Sequence, residues 1–388
     1  MMSNPAGIIS LTCITLAAAG AVLRVVAAVK LRAHLRRARP SGGADGPALT
    51  LWRALKPGVP APNAKLDALI AGSRPGDQIL IGANDAGECA GLRERWPDRD
   101  ITIVVCEPGR AENPKIGKFI QMAPHARHGR WLLTDSEAMP GPDFVENFRA
   151  EWERTGADVL TAGYRFHEPR TLEQLLDSLP AATTLWPGLM LAPRMDFTLG
   201  ACVALRADDV RGIGGWQALA DELAEDHQLG RLLTRAGRRI ALSSHVLTLD
   251  CDPLTMTDML RHHHRMAVTY RAAAPLGAIG LPLLHCFPLL VPGFLIGLLP
   301  WFAHIPHAGI GPIVVLSGIC FVVGAVAIAG TFATMKLLGT PRTMPGMEMV
   351  SSVIESACWL CAWFSRRVYW AGKWRRVGWR GRLGRAKH

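Results

Sequence analysis

The sequence predicts an α/β domain, a mostly parallel sheet covered by helices, set between membrane-crossing helices near the two ends of the chain. Three observations predict it. Short apolar strands alternate with helical patterns through the middle of the chain. Long uncharged stretches lie near both termini. A strand-like run, Trp131-Leu132-Leu133-Thr134, ends abruptly in the acids of Asp135-Ser136-Glu137. Such a run throws its carboxylates onto a loop at the carboxyl edge of the sheet, where open α/β sheets bind ligands.

The elements follow in chain order. Ala6 to Val29 is nearly all apolar, broken by Arg24, and is long enough to cross a bilayer as a helix. Lys30, Arg32, Arg36, Arg37 and Arg39 come after it. A cleaved signal peptide carries its positive charge before the apolar core, so this segment, 1–32, reads as a retained anchor with its basic flank in the cytoplasm. Ser41 to Pro47 is a Gly/Ser-rich linker.

The soluble domain occupies 45–270. Gln78 to Gly82, Ile101 to Val105, Trp131 to Thr134, Val159 to Ala162 and Ile240 to Leu242 are strand-like, while Glu146 to Thr155 and Ala220 to Ala236 have helical spacing. No internal repeat and no G-x-x-x-x-G-K-[ST] phosphate loop is present.

Pro275 to Ala303 and Ile310 to Leu338 lack Asp, Glu, Lys and Arg apart from Lys336. They read as two spans within 271–340, and the prolines of the first imply a kinked or partly re-entrant path. In 345–388, a shorter apolar stretch, Met349 to Phe364, carries Glu355. Nine cations follow, among them Arg375, Arg382 and Lys387, interleaved with Trp370, Trp374 and Trp379. This reads as an interfacial amphipathic helix and a basic aromatic tail in the headgroup layer of an anionic membrane.

Three spans place the central domain and the tail on the cytoplasmic side of the cell (inner) membrane, as the charge rule expects. The formal net charge of +11 is then largely membrane-facing, with no nucleic-acid partner implied. Nine scattered cysteines form no disulfide framework, and Cys358-x-x-Cys361 in an apolar helix is core packing.

Four segments of the soluble domain carry chemistry. Asn84-Asp85-Ala86-Gly87-Glu88 follows a strand, and an Asp there can accept hydrogen bonds from a base or ribose. Glu112-Asn113-Pro114-Lys115 presents Lys115 near the start of an amphipathic helix, where it can act as a point charge for phosphate. Asp135 and Glu137 are hard oxygen donors that can hold Mg²⁺ or Mn²⁺, and through it a diphosphate. Glu225-Asp226 opens a helix; one of the two can be a general base, and both suit the helix dipole. Taken singly, each has an ordinary alternative as a solvated turn, a surface lysine or dipole-favoured acids.

Their order is more specific than any one of them. Asn84-Asp85-Ala86-Gly87-Glu88-Cys89-Ala90 stands where a Q-D-x-x-D-P-A block would. Asn113-Pro114-Lys115-Ile116 follows, then Asp135-Ser136-Glu137 with Pro142-Asp143 beyond it. Gly200 to Arg206 precedes Ile213-Gly214-Gly215-Trp216. Glu225-Asp226-His227-Gln228-Leu229-Gly230 forms an E-D-x-x-L-G block. In this the whole chain resembles the ceramide glucosyltransferase family of membrane-bound inverting glycosyltransferases. It is also similar to the bacterial hopanoid-biosynthesis-associated glycosyltransferases.

The resemblance implies a GT-A (Rossmann-like) nucleotide-sugar transferase domain on the cytoplasmic face. It implies transfer of a sugar from a UDP-sugar to the hydroxyl of a membrane lipid, of ceramide or hopanoid type, with inversion. Asp226 is then the general base with Glu225 beside it, and Asp85 orients uracil or ribose. Asp135 and Glu137 hold the divalent metal, and Lys115 and Arg265 act as fixed cations on the diphosphate. The partners are the lipid acceptor and the bilayer, and no protein partner is specified.

The last block of the family, Q-x-x-R-W, appears as His262-His263-His264-Arg265-Met266, which keeps the arginine alone. Consecutive residues of a helix point in different directions, so the three histidines form no compact metal site unaided. The altered block keeps open a non-catalytic lipid-binding or assembly protein on a degenerate scaffold. A polysaccharide synthase usually needs more spans and an intact block, and a transporter fits poorly with so large a soluble domain. Glucose, N-acetylglucosamine, galactose and glucuronate remain open as the sugar, as do ceramide, a hopanoid polyol and diacylglycerol as the acceptor.

Overall fold

The structure is a computed structural model, and it describes residues 5–40, 46–58, 63–303, 311–340, 345–378 and 380–384. Most of the expected linker (41–45), and Trp379, Arg385 and Lys387 of the tail, lie outside the described residues. The chain divides into two units. One comprises His34–Glu168, Pro193–Asp252 and Arg366–His388. The other comprises Met1–Ala33, Pro169–Ala192 and Pro253–Ser365.

In the first unit β1 (Thr50–Ala54), β2 (Gln78–Ala83), β3 (Asp100–Val105), β4 (Arg130–Thr134), β5 (Val159–Phe166), β6 (Cys202–Arg206) and β7 (Ile240–Leu249) form one sheet in the order β3-β2-β1-β4-β6-β5-β7. All neighbours run parallel except β6, which is antiparallel to β4 and β5. The two-residue period of a strand sorts apolar side chains onto two faces. Leu51, Ile79, Ile81 and Leu132 pack with Phe148 and Trp152 on one face. Trp52, Leu80, Trp131 and Leu133 pack with Phe119 and Trp216 on the other.

All five expected strands are present, lengthened by one to several residues. The sequence reading missed β1 and β6. Arg53 interrupts the apolar run of β1, and β6 is a short strand whose pairing partners lie far along the chain. The helix expected over Ala220–Ala236 begins at Glu225. The preceding residues spend their backbone groups elsewhere: Ala220 O accepts from Asn113 N at 2.8 Å, and Leu223 N donates to Gly381 O at 3.0 Å.

The second unit is helical. Pro5–Leu35 and Gly311–Leu338 are each long and apolar enough to cross a membrane. Pro275–His285 and Phe287–Leu299 form a pair bent by 59°, the expected kink, at Cys286 with its positive φ of 42°. Arg24, the one charge inside the first apolar stretch, is buried. It pairs with Glu348 and donates to Leu284 O at 2.6 Å and Thr331 Oγ1 at 2.9 Å. The segment expected as one interfacial piece, 345–388, is shared between the units. Its helix, Pro345–Phe364, buries Glu348, Ser351, Ser352 and Glu355 inside the helical unit and exposes Met349, Val353, Leu360 and Phe364. Residues from Arg366 onward belong to the α/β unit.

Candidate active site

Parallel strands leave their loops at one edge, and Asp85 and Asp135 lie on those loops. Asp85 follows β2 and Asp135 follows β4, with β1 between them, so the two loops leave the edge about 10 Å apart. Because β6 is antiparallel, its entry residue Gly200 lies at the same edge as the exit of β4. Asp135 N donates to Ala201 O at 3.1 Å.

Three of the expected residues meet at one ammonium group. Lys115 Nζ lies 2.5 Å from Asp135 Oδ1 and 3.2 Å from Glu225 Oε1, and it donates to Gly200 O at 3.2 Å. Lys115 is placed by Asn113, whose Oδ1 caps the helix Pro114–Met122 by accepting from Lys115 N and Ile116 N. Asn113 is fully buried and its Nδ2 donates to Glu222 O at 2.9 Å and Glu225 Oε2 at 3.1 Å, which ties the lysine turn to the acid turn.

Asp226 stands beside them. Its Oδ2 accepts from Gly200 N at 2.8 Å and its Oδ1 from His227 N at 2.7 Å. Two glycines make the approach possible. A Cβ on Gly200 would lie 3.1 Å from Asp226 Oδ2, and one on Gly230 would lie 2.3 Å from Phe197 Cα. The glycine of the E-D-x-x-L-G block therefore lets its helix rest on the segment that carries Gly200.

Burial raises the pKa of Glu225, and Asp226 and Asp135 raise it further against the pull of Lys115. Burial raises Asp226 as well, opposed by Lys115 and by the two amides that bind it. Burial works against the charge of Lys115, but Asp135, Glu225 and Asp226 outweigh it and hold the ammonium well above the usual lysine value. His227 is lowered to about 4, chiefly by burial, so its imidazole is neutral.

Glu137 does not join this group. It pairs with Lys56, and its carbonyl accepts from Asp250 N at 2.9 Å. Asp135 and Glu137 thus turn to different lysines, and among the described residues no three of His, Cys, Asp and Glu are placed to hold a metal ion. The two carboxylates expected to hold a metal each face a lysine instead. Asp85 is exposed, and its Oδ1 accepts from Gly87 N at 2.7 Å. Glu88, in place of a second Asp, is buried and accepts from Asn84 N at 2.8 Å and Gly58 N at 3.2 Å, fixing the loop rather than facing a ligand.

The sequence model of glycosyl transferase family 21 matches residues 13–383. The chain belongs to that family. Its α/β unit has the parallel-dominated, helix-covered sheet expected of a GT-A domain, and apolar helices able to span a membrane flank it in sequence. This family 21 glycosyltransferase is similar to solved structures at low identity. S. aureus TarS 1-349 in complex with UDP-GlcNAc is 12% identical with a TM-score of 0.37, over 85% of this chain and 96% of that one. Glucosyl-3-phosphoglycerate synthase from Mycobacterium tuberculosis in complex with phosphoglyceric acid is 12% identical with a TM-score of 0.36, over 63% of this chain and 86% of that one. No curated protein matches the sequence.

The motif blocks quoted above do not include Arg53, which sequence reasoning missed. Fully buried on β1, it donates to Thr134 Oγ1 at 3.0 Å, Ser136 O at 3.3 Å and Ala138 O at 3.0 Å. It therefore pins the loop that carries Asp135. Burial lowers its pKa to about 10 against the pull of Asp135, so it stays charged. The available signal was an arginine inside an apolar strand. Arg265 lies on the helix Met256–Ala273 of the helical unit. On that helix His262 Nδ1 lies 2.7 Å and His263 Nε2 3.4 Å from Asp177 Oδ1, so these two histidines share one carboxylate.

Proposed function

We propose that this chain transfers a sugar from a UDP-sugar to the hydroxyl of a membrane lipid, of ceramide or hopanoid type, with inversion at the anomeric carbon. The observation that carries the reading is the Asp226 carboxylate, held by two backbone amides beside a lysine that two further acids keep charged. Family membership supports a transferase. The order of the blocks supports the UDP-sugar and the lipid. The membrane-length helices support an acceptor whose hydroxyl lies at headgroup level, and the basic flank of the first of them supports a cytoplasmic face of the cell membrane.

In this reading Asp226 accepts the proton that the lipid hydroxyl loses as it attacks. The amides of Gly200 and His227 fix the direction of its lone pairs, and burial keeps it a stronger base than an exposed carboxylate. Lys115 supplies positive charge near the bond that breaks, where negative charge grows on the departing diphosphate. Asp85, on the exposed loop after β2, orients the nucleoside, and the arginine of the altered last block, Arg265, is the second cation assigned to the diphosphate. One base and one displacement give a β-linked sugar from an α-linked donor. Asp135 and Glu137 each pair with a lysine in the structure, so no step is drawn through a divalent ion. Turnover in EDTA, compared with turnover after added Mg²⁺ or Mn²⁺, reads whether these acids regroup around a metal.

The test is expression of the full chain in a lipid-defined host, with mass spectrometry of new glycolipids. Isolated membranes are then supplied with UDP-glucose, UDP-N-acetylglucosamine, UDP-galactose or UDP-glucuronate. A new glycolipid is expected, and Asp226→Asn is expected to abolish it while the protein stays in the membrane. Undiminished product from Asp226→Asn removes the base assignment. No transfer from any donor to any lipid favours the non-catalytic scaffold.

A further inference from the structure

The basic tail does not simply extend away from the α/β unit. β8 (Arg367–Trp370) and β9 (Lys373–Arg376) form an antiparallel hairpin whose two-residue turn, Ala371-Gly372, has φ of 49° and 77°. Positive φ at both positions matches the twist of paired strands. The chain then doubles back. Val377 bridges Leu383, Gly378 N donates to Arg382 O at 2.7 Å, and Val368, Val377 and Leu383 are buried.

From this hook, bonds run to both turns of the site. Arg375 Nη1 donates to Glu112 O at 2.5 Å and lies 3.1 Å from Glu112 Oε2, with its guanidinium 5.6 Å from the Trp370 ring centroid. Glu112 immediately precedes Asn113, which places Lys115. On the other side Leu383 N donates to Asp221 O at 2.7 Å, Leu223 N to Gly381 O at 3.0 Å, and Arg382 Nε to Glu222 Oε1 at 3.3 Å. Residues 221–223 are separated from Glu225 and Asp226 by Ala224 alone. The tail thus grips the lysine turn and the acid turn at once, on either side of the Asn113 link.

We propose that the C-terminal hairpin is a strap that positions the acid–lysine cluster, with Arg375 as its positioning residue. The proposal rests on Asp226 being the base, as above. Burying a guanidinium costs stability unless it is paired and hydrogen-bonded. Arg375 is 8% exposed, whereas its neighbours Lys373, Trp374 and Arg376 are exposed. A tail that served only to meet lipid headgroups would gain nothing by turning that one cation inward.

The experiment compares Arg375→Ala, Arg375→Lys and Arg376→Ala in the full-length protein in anionic vesicles. Hydrogen exchange is read over 111–117 and 219–227, with kcat, donor KM and the pH profile of kcat where the donor panel gives turnover. Arg375→Ala is expected to speed exchange in both segments. It is expected to lower kcat by about tenfold to a hundredfold, as misplaced catalytic groups do, with donor KM little changed. It should also move the acidic limb of the profile to higher pH, because a displaced Lys115 no longer holds the acids ionised. Arg375→Lys recovers part of each effect, and Arg376→Ala matches the parent.

Unchanged exchange in both segments overturns the strap, whether or not turnover is found. Faster exchange with kcat and profile unchanged overturns its positioning role. Equal losses from Arg376→Ala also overturn it, since tail charge alone would then be what matters. If Asp226→Asn stays active while Arg375→Ala shows the expected losses, the base assignment falls and the strap stands.

Discussion

Lys115 serves three carboxylates with one charge: it touches Asp135 and Glu225, and the field of Asp226 also acts on it. This fixes a sign for the pH dependence. A general base works only when ionised, so transfer declines as pH falls through the pKa of Asp226. That pKa is raised, so the decline begins above the ordinary carboxylate range. Lys115→Met removes the cation that opposes burial, so the acidic limb should move higher still. The lost charge should lower kcat by about a hundredfold to a thousandfold, the usual scale for one electrostatic donor. A kcat–pH profile checks both, and an unshifted limb would show that Lys115 does not govern the acids. The acids and Lys115 were legible in the sequence because each ends a strand or begins a helix. Arg53, and the role of Gly200 within its block, were not, because what they do depends on partners distant in sequence, Thr134 and Ala138 for one and Asp226 for the other.

Among the elements, the helix Glu225–Arg235 shows how a packing constraint reaches the chemistry. It lies so close to Phe197 and Thr198 that a Cβ on Gly230 would meet three backbone atoms at 2.3 to 2.5 Å. Backbone cannot swing aside as a side chain can. Gly230→Ala should therefore lower stability by about 1–3 kcal/mol, the range for overpacking. It should also depress kcat, by shifting the Gly200 amide that holds Asp226. The urea midpoint of the purified protein and its turnover read the two effects, and a parent-like midpoint would show that the helix has room to move. Strand periodicity made five strands of the sheet legible. β6 stayed hidden because it is short and lies antiparallel between strands earlier in the chain, a placement its own residues do not encode.

For the whole molecule, the helical unit and the α/β unit obey different accounting of charge. In a helix meant for lipid, an ionisable residue needs a partner inside the unit. Arg24 finds Glu348, from the far end of the sequence. Arg24→Leu leaves a buried carboxylate unpaired and should cost about 3–5 kcal/mol, whereas removing both partners should cost much less. Thermal unfolding in detergent of Arg24→Leu, Glu348→Leu and the double variant checks this, and equal losses for single and double variants would refute it. The sequence by itself determined the α/β class, the membrane-length helices, the order of the motif blocks and the identity of the acids, because periodicity and composition act locally. Only the tertiary structure decided that Asp135, Glu225 and Asp226 share one lysine, that Glu137 turns away to Lys56, and that the basic tail folds back onto the turns of the site. Those outcomes depend on which distant groups the sheet edge brings within hydrogen-bonding reach, and no local pattern carries that information.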